Sequence, residues 1–177
     1  TGKLLKRDTL PKPLQNVKNY VNRNKALESV TIHPQFGILT APEWPLKENP
    51  GKIVIYSLAG LQWSFPPHPA PNSAVVALEA LEDGSVLVLE RAWVSIWQPL
   101  IISLRRVWLS SCETCTGHIN TNVKVKPVIE FDSSQGWNLD NFEGLTHHQG
   151  AYFFMVSDDN ESSWQQTLLS YFEIIDN

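Results

Sequence analysis

Short apolar or alternating runs, each bounded by Gly, Pro, Asn or Asp, recur along the whole 177-residue sequence, and helical periodicity is almost absent. Runs of this length are typical of strands in antiparallel sheets. The predicted strands cover residues 27–32, 37–41, 52–57 and 61–65 in a first group, residues 74–81, 85–91, 100–108 and 123–131 in a second, and residues 142–147, 151–156 and 167–174 in a third. The pattern therefore predicts an all-β protein.

The three groups share a repeat. Each begins with a strand, turns at a glycine and places an acidic residue at the close of its second strand. The corresponding positions lie 15 residues apart in every group: Glu28 and Glu43, Val75 and Glu90, Glu143 and Asp158. Four-stranded units repeated every 40 to 50 residues or so are typical of β-propeller blades. The sequence predicts a propeller-like fold of about three four-stranded antiparallel blades, and the irregular spacing of the units leaves a β-sandwich as the alternative.

The predicted number of blades is too small for a closed propeller. Leu4-Leu5 is interpreted as one further strand, which brings the total to about three blades. Closed propellers typically have 4–8 blades, so two apolar flanks would be left open. We therefore expect residues 1–177 to form a single domain that is part of a longer propeller, or to complete a ring as a homodimer.

Composition excludes several partners. The chain carries 14 Lys and Arg residues against 18 Asp and Glu residues, and this net negative charge argues against nucleic acid. The longest apolar stretch, around residues 94–104, is too short to cross a bilayer. Cys112 and Cys115 form one C-x-x-C with only His118 nearby, which disfavours zinc and leaves a loop disulfide or two free thiols.

Three stretches carry a family resemblance. They are N-F-E-G-L-T at residues 141–146, followed by V-S-D-D-N at 156–160, and A-L through L-E-D-G-S-V-L-V-L-E-R over residues 77–91. The sequence resembles the phytase-like propeller family, also described as having esterase-like activity of phytase, and looks like the C-terminal half of such a protein. The resemblance implies a periplasmic or extracellular protein that acts on phosphate esters with calcium. The first unit departs from the pattern, because Ser29 follows Glu28 where glycine is more usual and Trp44-Pro45 follows Glu43.

Calcium takes 6–8 oxygen ligands, so a site needs several carboxylates that converge from different strands. The candidate metal ligands are the acidic residues at or beside the repeat positions: Glu143, Asp158, Asp159, Glu90, Glu28 and Glu43. Arg91 is a candidate for binding phosphate through two hydrogen bonds. The candidate catalytic residues are Glu143, Asp158 and Arg91. The alternative for each carboxylate is a turn or strand-end residue that accepts backbone N–H bonds.

Two functions stay open at this point. The first is a calcium-dependent hydrolase acting on a small phosphorylated substrate; no G-x-S-x-G nucleophile elbow is present to support serine-esterase chemistry. The second is a non-catalytic propeller whose loops bind a protein or glycan partner. Five tryptophans bear on this second function only if they lie along one face: Trp63, Trp93, Trp97, Trp137 and Trp164.

Overall fold

The computed structural model describes residues 2–111 and 118–175, and strands dominate these residues. The strands are β1 Leu27–His33, β2 Gly37–Pro42, β3 Ile53–Ser57, β4 Gln62–Phe65, β5 Ser73–Ala80, β6 Ser85–Ala92, β7 Ile101–Trp108, β8 Ile119–Asn120, β9 Lys124–Asp132, β10 Asn141–Gln149, β11 Tyr152–Asp158 and β12 Leu169–Glu173. The predicted all-β class is confirmed.

Three sheets follow one another along the chain. The first sheet has the order β1-β2-β3-β4-β8, the middle sheet β5-β6-β7-β9, and the third sheet β10-β11-β12. Neighbouring strands are antiparallel, apart from the short β8, which runs parallel to β4 and was not predicted. The three predicted groups of strands therefore correspond to the three sheets, and none of these sheets closes on itself.

The middle sheet is buried on both faces. Because successive side chains of a strand point to opposite faces, Val86 and Val88 of β6 pack against the first sheet. Leu87 and Leu89 of the same strand pack with Phe142, Phe153 and Met155 of the third sheet. This stacking of three sheets is that of neighbouring propeller blades and differs from the two facing sheets of a sandwich.

The first strands of the three sheets lie side by side, with β5 packed against β1 on one side and against β10 on the other. In a propeller the innermost strand of each blade occupies this position. The arrangement is compatible with three consecutive blades of an open, partial propeller. Residues at or beside the ends of β1, β5 and β10 therefore lie near one another.

The N-terminal segment differs from the prediction. Residues 2–11 form no strand, so the assignment of Leu4-Leu5 to a strand was wrong; both side chains are exposed and no neighbouring strand pairs with them. Beyond it, the helix α1 Lys12–Gln15 and a short 3₁₀ turn place Leu14 and Tyr20 against the first sheet. Tyr20 also donates a hydrogen bond to the carbonyl of Leu14, which stabilises the packing of this N-terminal segment against the first sheet.

Apolar side chains stay exposed on both outer flanks, including Val30 and Ile32 on the first sheet and Leu169 and Tyr171 on the third. The expectation of a longer propeller or a homodimer stays a prediction. Cys112 and Cys115 lie outside the described residues. Within residues 2–111 and 118–175, no helix has the length and hydrophobicity to span a membrane.

Candidate functional site

Three carboxylates and two cations meet where the three sheets come together. Glu28 lies in β1, Glu43 directly follows β2, and Glu143 lies in β10. Lys25 precedes β1, and Arg91 lies near the end of β6 in the middle sheet. Four of the predicted site residues, Glu28, Glu43, Glu143 and Arg91, are thus brought together although they come from all three sheets.

The same irregularity positions these residues in each sheet. The pairing of the first two strands shifts by one residue between Leu27 and Ser29, between Val75 and Ala77, and between Phe142 and Gly144. A β-bulge at each place leaves one extra residue on the first strand. The extra residues are Glu28, Val76 and Glu143. On the second strand of each sheet, the residue directly after the segment opposite the bulge is Glu43, Arg91 or Asp158, respectively.

This register changes the assignment in the middle sheet. The 15-residue repeat holds, but there it joins Val76 to Arg91 and not Val75 to Glu90, as the sequence suggested. Because a shift of one residue moves a side chain to the other face of a strand, Arg91 takes the place that Glu43 occupies in the first sheet. A cation therefore stands at the position where the repeat predicted an acid.

Glu43 is the most deeply buried member of the group, with 1% of its surface exposed. Its backbone N–H donates to Ala26 O and its carbonyl accepts from Val75 N, so it joins the first sheet to the middle sheet. Its Oε1 atom lies 2.6 Å from Lys25 Nζ and 3.5 Å from Arg91 Nη2. Its Oε2 atom is buried and has no hydrogen-bond partner among the described residues.

Arg91 connects the middle sheet to both of its neighbours. Its Nη1 atom donates to Glu143 Oε1 at 2.7 Å, while its Nη2 atom faces Glu43 of the first sheet. Asn141 Nδ2 donates to the same oxygen of Glu143 at 2.7 Å. Two donors fix Glu143, whereas the longer contact to Glu43 leaves one edge of the guanidinium loosely held.

Glu28 carries the largest electrostatic perturbation in this group. Partial burial raises the pKa of Glu28 from 4.5 to about 7, with further increases from the negative charges of Glu43 and Glu143. Lys25 opposes these effects in part. Glu28 therefore exchanges its proton near neutral pH, where a group able both to give and to accept a proton is most useful to catalysis.

Glu90 belongs to a different contact network. Its Oε2 atom accepts from Arg105 Nε at 2.5 Å, and its Oε1 atom accepts from the backbone N–H of His68 and from Ser73 Oγ. The side chain of Arg105 is itself buried and also donates to Pro66 O. Glu90 thus anchors the proline-rich loop before β5 to the middle sheet, on the opposite face of β6 from Arg91.

Asp158 and Asp159 are held by their own loop. Asp158 Oδ1 accepts from Asn160 N at 3.2 Å, and Asp159 Oδ1 accepts from Glu161 N at 3.0 Å. These are the turn contacts that short acidic side chains commonly make, and they stabilise the positive φ angles of Asn160 and Glu161. The assignment of either residue to metal binding or catalysis stays a prediction.

Sequence reasoning missed Lys25 and Asn141. Asn141 lies two residues before Glu143 on the same strand, so the period of two would have placed both side chains on one face. Lys25 gave no comparable signal, because its contact with Glu43 spans 18 residues and depends on the pairing of β1 with β2. The Lys25 ammonium also lies 5.8 Å from the ring centre of Trp44.

The comparison with protein families agrees with this arrangement. The family model described as "Phytase-like: Esterase-like activity of phytase" matches residues 1–161. The chain belongs to the phytase-like family. The match includes every predicted site residue of the phytase-like chain and confirms the resemblance found in its sequence. No curated protein and no solved structure gave a match.

A cavity of about 360 Å³ opens beside the site of the phytase-like chain. Trp44 and Pro45, which directly follow Glu43, form one wall, and Pro67, His68 and Pro69 form another. Glu90 supports this second wall through its hydrogen bond to His68 N. The cavity is thus open, largely apolar and adjacent in sequence to the most buried carboxylate.

The five tryptophans singled out from the sequence of the phytase-like chain divide into two classes. Trp63 is buried in the core and donates to Ser110 O, so it belongs to no binding face. Trp93, Trp97, Trp137 and Trp164 are exposed in loops. Those loops follow β6, precede β10 and follow β11, and the contact of Arg91 with Glu143 shows that these strand ends lie at one end of the sheets.

Calcium can be tested against the oxygen atoms that the site offers. Within the described ranges, no three His, Cys, Asp or Glu side chains converge closely enough to form a ready-made metal site. The buried, unpartnered Oε2 of Glu43 and the neighbouring carboxyl of Glu28 are nevertheless hard oxygen donors of the type that calcium prefers. Two carboxyl groups supply only part of the 6–8 oxygens that calcium takes, so calcium binding at this site stays a prediction.

Proposed function

We propose that this phytase-like chain is a hydrolase of phosphate esters that works with calcium. The observation that supports the proposal is the meeting of Glu28, Glu43 and Glu143 around Arg91, with one oxygen of Glu43 buried and unpartnered. The family description, with its reference to phytase and esterase activity, points to the same class of reaction.

Arg91 and Lys25 supply positive charge for the substrate. The Nη2 atom of Arg91 lies 3.5 Å from Glu43 Oε1, a longer contact than the 2.7 Å bond to Glu143, so a phosphate oxygen can compete for Nη2 without breaking the bond to Glu143. Guanidinium groups bind phosphate through paired hydrogen bonds. In this scheme Asn141 and Glu143 orient Arg91, and Lys25 adds a second cation beside Trp44.

Glu28 is the proton carrier in this scheme. Its pKa of about 7 lets it accept a proton from attacking water or donate one to the leaving oxygen near neutral pH. Glu43 would hold calcium through its unpartnered Oε2 atom when the ion is bound, with water completing the coordination, and the ion would then neutralise phosphate charge and make a bound water more acidic. We extend the proposal to a periplasmic or extracellular location, where calcium concentrations suit weak carboxylate sites.

The test measures release of inorganic phosphate from a soluble phosphate monoester by the 177-residue chain, in calcium and in chelator. We expect calcium-dependent release that Glu28→Gln reduces by 100-fold or so, the scale of a lost general acid or base. Glu161→Gln, which changes an exposed loop carboxylate, serves as the matched control and should retain activity. Absence of phosphate release by the unmodified chain, or full activity of Glu28→Gln, would contradict the proposal.

The alternative is a non-catalytic propeller that binds a protein or glycan partner. Two observations favour it: Lys25 and Arg91 already form ion pairs with the carboxylates, and Asp158 and Asp159 serve a turn. Under this alternative the charged group only joins the sheets. The thermal unfolding midpoint separates the two, because calcium at 100 times its Kd should stabilise a real site by about 2.7 kcal/mol, whereas a purely structural cluster should not respond.

A further inference from the structure

The loop between β6 and β7 exposes four large apolar side chains in a row of five residues. Ile96 is 81% exposed and Trp97 is 88% exposed, and Trp93 and Val94 are also exposed. Soluble proteins rarely leave such a cluster in water without a function for it. The loop therefore marks a contact surface.

This exposure does not arise from a missing neighbour of the sheet that carries the loop. The middle sheet is covered by the first sheet on one face and by the third sheet on the other. The loop extends beyond the end of that sheet, between Ala92 and Ile101.

Two further tryptophans lie at the same end of the sheets. Trp164, in the loop after β11, is 93% exposed, and Trp137, in the loop before β10, packs its ring against Phe131 and is half exposed. Ser133 N donates to Leu100 O, which ties the Trp137 loop to the start of β7. Three separate loops thus place exposed or half-exposed indole rings at one end of the sheets.

We propose that this end of the chain docks on a zwitterionic lipid bilayer, with Ile96 and Trp97 entering the interface. Trp side chains favour the boundary between headgroups and acyl chains because the ring is apolar and the indole N–H is polar. No charged residue lies between Arg91 and Arg105, so the loop can enter that boundary without burying a charge. The aliphatic side chains of Val94 and Ile96 suit acyl chains and offer no ring face to a sugar.

The charge around the loops selects the type of lipid. Asp158, Asp159 and Glu161 accompany Trp164 in its loop, and no basic residue lies between residues 158 and 175. Anionic lipid would be repelled by these carboxylates, whereas phosphatidylcholine carries no net charge. The proposal does not depend on catalysis, because Ile96 and Trp97, the residues that would enter the bilayer, are not candidate site residues.

The experiment is flotation of the 177-residue chain with phosphatidylcholine vesicles. We expect the unmodified chain to float with the vesicles, and we expect the double variant Ile96→Ser with Trp97→Ser to lose about tenfold or more of its partition into them. The matched control is Ile32→Ser, which removes a 76%-exposed side chain from the flank of the first sheet. This control should bind as the unmodified chain does.

Three outcomes would overturn the proposal. They are failure of the unmodified chain to float, an equal loss in Ile32→Ser, and retention of the unmodified chain on immobilised oligosaccharides but not on vesicles, which would assign the loops to a glycan. Circular dichroism must show that the double variant is folded. Brominated phosphatidylcholine supplies a second readout, because it should quench tryptophan fluorescence less strongly in a Trp97→Phe variant that still binds.

Discussion

Replacing Glu28 by Gln should make the protein more stable in mild alkali and change its stability little in acid. The pKa of Glu28 is raised by burial and by the negative charges of Glu43 and Glu143, from 4.5 to about 7. Between these two values the folded state holds a proton that the unfolded state has lost. Stability must therefore fall as pH rises from about 4.5 to about 7, and it should be level above that range.

The size of the effect follows from the pKa change and the exposure of the side chain. A rise from 4.5 to about 7 corresponds to about 3 kcal/mol if nothing screens the charge. Glu28 is exposed to water on one side, and screening by solvent reduces such interactions severalfold. We therefore expect Glu28→Gln to gain about 1 kcal/mol at pH 8, or about 2–4 °C in Tm for a chain of this length.

Urea unfolding at pH 5, 6, 7 and 8 provides the assay, with Glu161→Gln as the control for loss of one exposed charge. The unmodified chain and the control should both lose stability between pH 5 and pH 8, while Glu28→Gln should show a flatter profile. A parallel fall in all three proteins would refute the reasoning, since the titration would then belong to another group. So would a profile of the unmodified chain that is flat from the outset.

Three substitutions test the contacts around the site by urea unfolding. Arg91→Met should lower the free energy of unfolding by about 2 kcal/mol, less than the usual loss for a broken buried ion pair, because Lys25 still neutralises part of the negative charge of Glu43. An unchanged free energy of unfolding would show that Arg91 does not hold the sheets together. Glu90→Ala should cost about 3–5 kcal/mol by leaving the buried Arg105 unpaired, and a cost under about 1 kcal/mol would contradict the buried network. Gly144→Ala should cost about 1–3 kcal/mol, since the added Cβ would lie 2.5 Å from Val156 Cγ1. Restoration of stability by a second change, Val156→Ala, would confirm that clash, and its failure to restore would refute it.

The strands were predictable from sequence because their signals are local. The predicted run 142–147 lies within β10 Asn141–Gln149, and the predicted run 85–91 lies within β6 Ser85–Ala92. Alternation and turn residues decide both, and neither depends on a distant part of the chain. The repeat of 15 residues was also visible, because the first two strands of each sheet are joined by a short turn.

The partners of the site residues were predictable only in part. The structure brings Glu28, Glu43 and Glu143 together, but the repeat placed Glu90 where the fold places Arg91. The same β-bulge occurs in all three sheets, so the difference arises because the sequence repeat was aligned on acidic residues, whereas Val76 and Arg91 occupy the equivalent positions in the middle sheet. The cover that Leu14 provides was missed because it depends on a tertiary contact with the first sheet.

The site forms only when the three sheets pack together, because Arg91 of the middle sheet pairs with Glu43 of the first sheet and Glu143 of the third. Lys25 and Glu143 are 118 residues apart in the sequence, and they become neighbours of the same site only after all three sheets have packed together. A ligand that binds there must therefore favour the docked arrangement over any state in which the third sheet has separated. Amide hydrogen exchange in β10 and β11 should slow when the site is filled, because a bound ligand that contacts all three sheets would make separation of the third sheet less frequent.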